Sequence, residues 1–352
     1  MAHHTIYDIA RLAGVSGKTV SRVLNQEPGV SPLTRARITK LIDQLGYQPH
    51  SGARSMRGQR RDCVGVVFTA PPEVVPISNQ QIQWMFEELY RIFGMRGKFI
   101  CFDLNPFESP DGSDYARALW QQRCSGCVIH GPLPIHDQTV HRIHQSGSPY
   151  MAMNRLDSLP EICFASPDYE EAAYLSTKFL IDRGHTRIGM LKGWEGYQAG
   201  VERWRGYVRA LEEAGLPLDE ALVRAVTFDA HDIAAATHRL LLDFSTTAIV
   251  DCSSTEKAAP LVEGARFAGR APGKDFEVVV WTYAAQATVL KEACAHVWLP
   301  LREAAAEGLA LLVQWFDKER EEPFQVLYRP TLYETAPDAA LPTPTPIFNT
   351  LR

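Results

Sequence analysis

The sequence predicts a chain of two parts. An N-terminal three-helix head built around a helix-turn-helix is joined by a connector to an α/β body of two doubly wound parallel-sheet lobes. Three observations carry this. Apolar residues in the first 45 positions recur at helical spacing around a tight glycine turn. From residue 64 to 281, short apolar runs alternate with amphipathic stretches, the pattern of parallel strands with helices on both faces. That body, roughly 270 residues, exceeds one comfortable core, so it should divide into two lobes with a cleft at the strand ends.

In the head, Ile6, Ile9, Ala10 and Ala13 mark one face of a short first helix. Gly14 ends it with a residue that tolerates positive φ, Val15 packs inward and Ser16 caps a second helix. Val20, Val23 and Leu24 give the second helix its apolar face, leaving Gly17, Lys18, Thr19, Ser21, Arg22 and Asn25 outward. A third helix runs from Ser31, with Ile38, Leu41, Ile42 and Leu45 closing the core. Gly17-Lys18-Thr19 is also the ending of a nucleotide-binding P-loop. That loop needs an earlier glycine where Leu12 stands, and a strand where the spacing is helical. A helix that exposes small and hydrogen-bonding side chains from its N-terminal end fits the DNA major groove instead. The plain alternative is a helical cap with a solvated face.

The charge distribution favours the groove. The net charge is -5, yet residues 1–61 hold ten Lys or Arg against three Asp or Glu, leaving 26 bases and 38 acids for the rest. A basic head on an acidic body directs nucleic acid to one end. No apolar run reaches the roughly 18 residues of a membrane span, and the N-terminus lacks the apolar core of a secretion signal, so a cytoplasmic protein is expected.

After the connector "YQPHSGARSMRGQRR", strands are expected at Val64–Phe68, Phe99–Phe102, Cys127–His130, Tyr150–Met153, Ile188–Leu191, Ala248–Val250 and Val278–Trp281. Helices are expected at Ile82–Phe93, Tyr115–Gln122, Gln138–Gln145, Tyr169–Asp182, Val201–Ala214, Ile233–Leu242 and Glu256–Phe267. The Pro- and Ala-rich tail after Tyr333 reads as a poorly ordered end without the heptads of a tetramer-forming coiled coil. The divisions are therefore 1–46 for the head, 47–61 for the connector, 62–335 for the body and 336–352 for the tail.

The seven cysteines are scattered. Cys124 and Cys127 form a C-x-x-C that could be redox-active, half of a zinc site, or simply buried packing; no second C-x-x-C completes a zinc tetrad, and the motif runs into Val128-Ile129. His141 and His144 lie three apart on a helix without nearby ligand partners, as on a solvated face. No metal or other cofactor is expected. An enzyme on an α/β body is the alternative function class, but G-x-S-x-G and H-E-x-x-H are absent.

The stretch "TIYDIARLAGVSGKTVSRVLNQEPGVSPLTRARITKLIDQLGYQP" resembles the DNA-binding head of the lactose-repressor family nearly position for position. "GHTRIGML", "RWRGYVRALEEAGL" and "YRP" are similar to that family's effector-binding body, which itself resembles a periplasmic sugar-binding protein. The resemblance implies a homodimeric transcription regulator, by the family's usual direction a repressor, on a near-palindromic double-stranded operator. Gly17, Lys18 and Arg22 stand at the base-reading positions, with Lys18 and Arg22 suited to guanine and Gly17 lacking a side chain. Thr5, Ser16, Thr19, Ser21, Asn25, Ser31, Thr34 and Tyr47 stand at phosphate positions. The connector matches a hinge helix in which Ala53 and Met56 meet the minor groove, Met56 replacing the usual leucine wedge; an ordinary flexible linker is the alternative.

In the body the resemblance places a small-molecule effector, a sugar or sugar derivative, between the lobes. Asn154 and Arg203, the latter in an R-x-x-G pattern with Gly206, match ligand contacts; Asp168, where the chain crosses between lobes, could be a ligand partner or a helix cap. Arg203 could instead form a structural ion pair. The usual Asn-Asp pair is replaced near Ser254, and the usual ligand aspartate by Thr282, which would weaken binding of an ordinary monosaccharide. Trp194, Tyr197, Trp281 and Tyr283 could stack a ring or pack the core.

Overall fold

A computed structural model of the chain describes residues 5–24, 27–45, 63–69, 80–103, 115–193, 195–227, 229–242, 246–253, 258–283, 290–319, 323–334 and 346–348. The chain divides into two compact units between Arg61 and Asp62.

The first unit is three helices, α1 (Ile6–Ala13), α2 (Gly17–Leu24) and α3 (Pro32–Leu45). Ile9, Ala10, Ala13, Val20, Val23 and Ile38 bury against one another, and Val15, Leu24, Leu41, Ile42 and Leu45 pack around them, as the spacing predicts. Gly14 closes α1 at φ 60°, where a side chain would be strained.

The second unit holds two sheets. The first contains β1 (Cys63–Phe68), β2 (Phe99–Asp103), β3 (Gly126–His130), β4 (Tyr150–Ala152) and β5 (Phe164–Pro167). Around them lie α4 (Gln80–Ile92), α5 (Arg117–Trp120) and α6 (Gln138–Gln145). The chain then passes into α7 (Tyr169–Asp182), β6 (Ile188–Leu191), α8 (Gln198–Glu213), β7 (Val223–Arg224), α9 (Ala230–Leu242), β8 (Ala248–Asp251), α10 (Ala259–Phe267), β9 (Glu277–Thr282) and β10 (Ala295–Trp298). It ends with α11 (Leu301–Phe316), β11 (Gln325–Tyr328), β12 (Thr331–Tyr333) and β13 (Pro346–Phe348).

The strand orders are β13-β11-β5-β4-β3-β1-β2 and β12-β10-β9-β8-β6-β7. Within each sheet the ladders are parallel, except that β13 runs antiparallel to β11 and β12 antiparallel to β10. Strands such as β3 and β6 are buried along their whole length, as strands covered on both faces must be. Two separate apolar clusters flank the second sheet, one under α7 and α8 and the other under α9 and α10.

The chain crosses between lobes at Asp168, between Trp298 and Leu301, and again between Tyr328 and Thr331. Several features differ from expectation, beginning with strands β5, β7, β10, β11 and β12, none of which was among the seven expected. Helix α11, which was not among the expected elements, returns to the first lobe and buries Leu301, Ala304, Leu309 and Leu312 there. The end of the chain, expected to be poorly ordered, contributes β13 to the edge of the first sheet.

Candidate nucleic-acid interface and effector cleft

Each helix of the head begins with a side-chain cap. Thr5 and Asp8 close a capping box on α1. Ser16 Oγ accepts the Thr19 N–H at 3.2 Å and lies 2.9 Å from Thr19 Oγ1. Ser31 repeats that device on α3, accepting the Thr34 N–H at 3.2 Å while its hydroxyl donates to Thr34 Oγ1 at 2.9 Å. These hydroxyls fix where each helix starts, and a helix start leaves backbone N–H groups suited to phosphate. Arg35, although basic, braces the turn: its Nη2 donates to the Glu27 carbonyl at 2.6 Å.

Lys18 is exposed and Arg22 half-buried, and with Tyr7, Gly17 and Ser21 they line an open hollow between α1 and the first turns of α2. Ser21, expected to face outward, is 7% exposed and lines this hollow one helical turn after Gly17, so it faces α1 rather than solvent. Tyr7 was missed by sequence reasoning. It is 76% exposed, its ring 3.6 Å from where a Gly17 Cβ would stand, so it occupies space beside the reader position that lacks a side chain. Asn25, Tyr47, Ala53 and Met56 lie outside the described residues.

In the second unit the cleft residues sit at strand ends. Asn154 follows β4 and its Nδ2 donates to the Gly131 carbonyl at 2.8 Å. Asp168 is the N-cap of α7, its Oδ1 accepting the Glu171 N–H at 3.0 Å, so the capping reading holds. Arg203 is 5% exposed, and its guanidinium lies 5.3 Å from the Tyr169 ring centroid and 5.2 Å from that of Trp281. Its Nη1 donates to the Lys192 carbonyl at 3.1 Å, while Nε is buried without a partner. Among the described residues no carboxylate forms an ion pair with it. Two glycines make this placement possible. Gly206 lets α8 seat on α7, since a Cβ there would stand 2.0 Å from the Glu170 carbonyl oxygen, and Gly193 leaves room for Nη1 itself.

Trp281 does not offer its ring to the cleft. It is 2% exposed, stacks on Tyr169 at an interplanar angle of 12°, and donates Nε1–H to Ser176 Oγ at 2.9 Å. It is the wall behind Arg203, and core packing is the reading that holds. Thr282 ends β9 half-buried, its carbonyl bonded to the Leu299 N–H. Tyr197 is half-buried and pairs through its backbone with Pro134 of the first lobe. Trp194 and Ser254 lie outside the described residues.

Several groups near these strand ends were not anticipated. His130 ends β3 with both ring nitrogens buried and unpartnered, and burial lowers its pKa to about 4, so it is neutral. Asp251 ends β8 at 1% exposure, its carboxyl pushed up by burial, with the Ser253 N–H and the Arg203 charge opposing. Between the lobes, the Ile135 N–H donates to the Gly196 carbonyl and the Gln198 N–H to the Leu133 carbonyl. Arg155 Nε pairs with Glu202 Oε1 at 3.0 Å, and Arg205 Nη2 with Asp157 Oδ2 at 2.5 Å. Burial raises the Glu202 pKa to about 7 against the lowering charge of Arg155.

The cysteine and histidine pairs resolve differently. Cys124 and Cys127 are buried thiols. His144, expected on a solvated face, is half-buried, with Nδ1 2.9 Å from the Tyr150 hydroxyl. Among the described residues no cluster of three or more His, Cys, Asp or Glu could hold a metal ion, and no helix is long and apolar enough to cross a membrane.

Comparison with known proteins converges on both units. Residues 5–50 match the model of bacterial regulatory proteins of the lacI family, and residues 96–332 match that of periplasmic binding proteins and the sugar-binding domain of the same family. The chain belongs to the LacI family. It is therefore a DNA-binding transcriptional regulator of the helix-turn-helix type. Among its LacI-family relatives, catabolite control protein A of Priestia megaterium is 26% identical over 90% of this chain and 93% of its own length. The regulator CelR of Thermobifida fusca is 29% identical over 92% and 95%. Among solved LacI-family structures, a CelR–cellobiose complex superposes with a TM-score of 0.68 at 25% identity, covering 95% of this chain and 99% of that one. The lac repressor dimer bound to operator and the anti-inducer ONPF gives 0.74 at 20% identity with the same coverage, a likeness of fold.

Proposed function

We propose that this regulator is a homodimeric repressor, without catalytic activity, whose operator affinity is set by a sugar-like effector held between the two lobes. The observation that carries the effector site is Arg203. A guanidinium lying over two buried aromatic rings, with one nitrogen lacking a partner and no paired carboxylate among the described residues, is a donor set kept for a ligand oxygen. Asn154 and the neutral His130 supply polar groups at strand ends of the first lobe, and Thr282 supplies one in the second. The CelR complex with cellobiose supports the sugar class.

On DNA, Lys18 and Arg22 read bases from the exposed end of α2, and Tyr7 packs where Gly17 leaves space. Thr5, Ser16, Thr19, Ser31 and Thr34 set register on phosphates at the helix starts that Thr5, Ser16 and Ser31 cap. Asn25 and Tyr47 add phosphate contacts, and Ala53 and Met56 form the minor-groove wedge. The exposed Phe86, Tyr90, Met95 and Phe99 on and beside α4 and β2 fit a dimer face. Because the interlobe contacts of Arg155, Asp157 and Gln198 change when the lobes move, an effector that prefers one arrangement biases DNA affinity by the same free energy.

The test is fluorescence anisotropy with the DNA upstream of the protein's own gene, at two salt concentrations, with a panel of sugars and sugar acids. Tight binding to a near-palindrome that one compound weakens or strengthens supports the reading. Specific binding that no compound moves refutes the effector, and weak, sequence-independent binding refutes the operator model.

A further inference from the structure

In the first lobe, cysteines crowd around one glycine. Gly65, inside β1, pairs in register with Cys101 of β2 on one side and Cys127 of β3 on the other. Cys63 lies two residues earlier on β1, so strand alternation puts it on the same face as Gly65. Cys124 arrives from the turn before β3, and its Sγ stands 2.9 Å from the place a Gly65 Cβ would take. A sulfur from another segment thus fills the room that the missing side chain leaves. The backbone fixes the approach, because the Ser125 N–H donates to the Cys63 carbonyl at 2.9 Å. Burial pushes the Cys124 thiol up to about 12, with Cys63 and then Cys101 adding to the effect, so these thiols feel one another's charge.

The sequence drew attention to Cys124 and Cys127 as a pair. Cys127, however, is fully buried inside β3 opposite Tyr150, whereas Cys63 is half-buried at the start of β1. We propose that Cys63 and Cys124 form a redox pair, closed to a disulfide by a hydroperoxide, that alters operator binding.

The chemistry balances as two steps. The Cys63 thiolate, the more accessible, attacks the peroxide oxygen, breaking the O–O bond to leave a sulfenic acid and an alcohol or water. The Cys124 sulfur then attacks the Cys63 sulfur, displacing the oxygen as water with the Cys124 proton, so two thiols lose two electrons to one peroxide. Cys63 is the first residue of β1 and stands two residues after the end of the connector 47–61. A bond from it to the turn before β3 ties down the point where the connector joins the body, and this is the step that reaches DNA.

The experiment treats the full-length reduced protein with hydrogen peroxide, blocks remaining thiols with iodoacetamide, and maps linked peptides by mass spectrometry. Anisotropy on the upstream DNA is measured in parallel. The expected result is loss of two hydrogen atoms, a Cys63–Cys124 linked peptide, and a change in DNA affinity of about fivefold or more that dithiothreitol reverses. Cys63→Ser and Cys124→Ser each abolish the mass change, while Cys127→Ser retains it. Seven alkylated thiols after peroxide, oxygen addition without a cross-link, or a linkage through Cys101 or Cys127 overturns the pair. A Cys63–Cys124 bond that leaves DNA affinity unchanged overturns the regulatory half, and the mass readout does not depend on how the operator is read.

Discussion

Arg155 of the first lobe reaches across to Glu202 of the second, placing Nε 3.0 Å from a carboxylate oxygen that is almost wholly buried. Arg155 also lies 3.6 Å from Asp168 Oδ1 and 3.9 Å from Glu170 Oε2, so it is the hub of an acidic cluster at the lobe crossover. The other Glu202 oxygen is buried without a partner, which is why burial outweighs the arginine and lifts the pKa.

The first prediction follows from that sign. A carboxyl whose folded pKa is raised from 4.5 to about 7 binds its proton more tightly in the folded state. Its contribution is fully present below 4.5, declines as pH rises to about 7, and stays lost above that. Glu202→Gln keeps the shape and removes the titration. Thermal melts from pH 4 to 8 should show the variant losing this decline and matching or exceeding the wild type at pH 8, because Arg155 keeps Asp168 and Glu170. An unchanged slope in the variant would assign the decline to other groups.

Replacing Arg203 separates ligand response from folding. Arg203→Lys keeps a charge beneath Tyr169 and Trp281 but cannot present a planar fork. A hydrogen bond to a charged group contributes about 1.5–3 kcal/mol. The variant should therefore need about tenfold or more effector for the same shift in DNA binding, with operator affinity unchanged in its absence. An unaltered effector titration would assign Arg203 to packing alone.

Gly206→Ala tests the helix contact that positions this arginine. Its Cβ would stand 2.0 Å from the Glu170 carbonyl oxygen and 2.8 Å from the Tyr174 nitrogen, both backbone atoms that cannot swing aside. Overpacking of this kind costs about 1–3 kcal/mol or more, and the melting temperature of the body should fall by several degrees. An unchanged melt would mean that α7 and α8 slide apart at little cost.

What the sequence made legible was local. Ser16 and Ser31 were readable as helix starts because a cap acts within three residues, and β6 and α7 because their apolar periods are unbroken. Helix α11 was not among the expected elements although its signal is in the sequence: Leu301, Ala304, Ala305, Gly308, Leu309, Leu312 and Val313 recur at helical spacing, with Arg302, Glu303, Glu307 and Gln314 on the other face. β13 escaped because the composition around it argued against order, while its pairing with β11 depends on a partner elsewhere in the chain. The R-x-x-G pattern identified Arg203, yet nothing in it could show that the neighbouring Glu202 turns to the other lobe. The direction of the Trp281 ring was equally hidden, since a tryptophan ending a strand stacks a ligand or fills a core with the same letters around it.

The last prediction concerns the head, where Lys18 and Gly17 stand side by side with different consequences. Lys18 is exposed at the start of α2 and lines the same hollow as Arg22. If Lys18 reads a base, Lys18→Ala should cost about 1–3 kcal/mol on the preferred operator and relax preference at one base pair. If it held only phosphate, the loss would be uniform across sequences and the salt slope would fall by about one. Gly17→Ala adds a methyl whose nearest neighbours are Tyr7 ring carbons at 3.6 and 3.7 Å, ordinary contact distances. It should stabilise the head by up to about 1 kcal/mol through helix propensity. Operator binding should then survive Gly17→Ala but weaken in Tyr7→Ala, because the ring, rather than residue 17, occupies that corner of the interface. Anisotropy titrations of all three variants against single-base operator substitutions distinguish these outcomes, and a Gly17→Ala protein that no longer binds would show that DNA backbone approaches too closely there for any side chain.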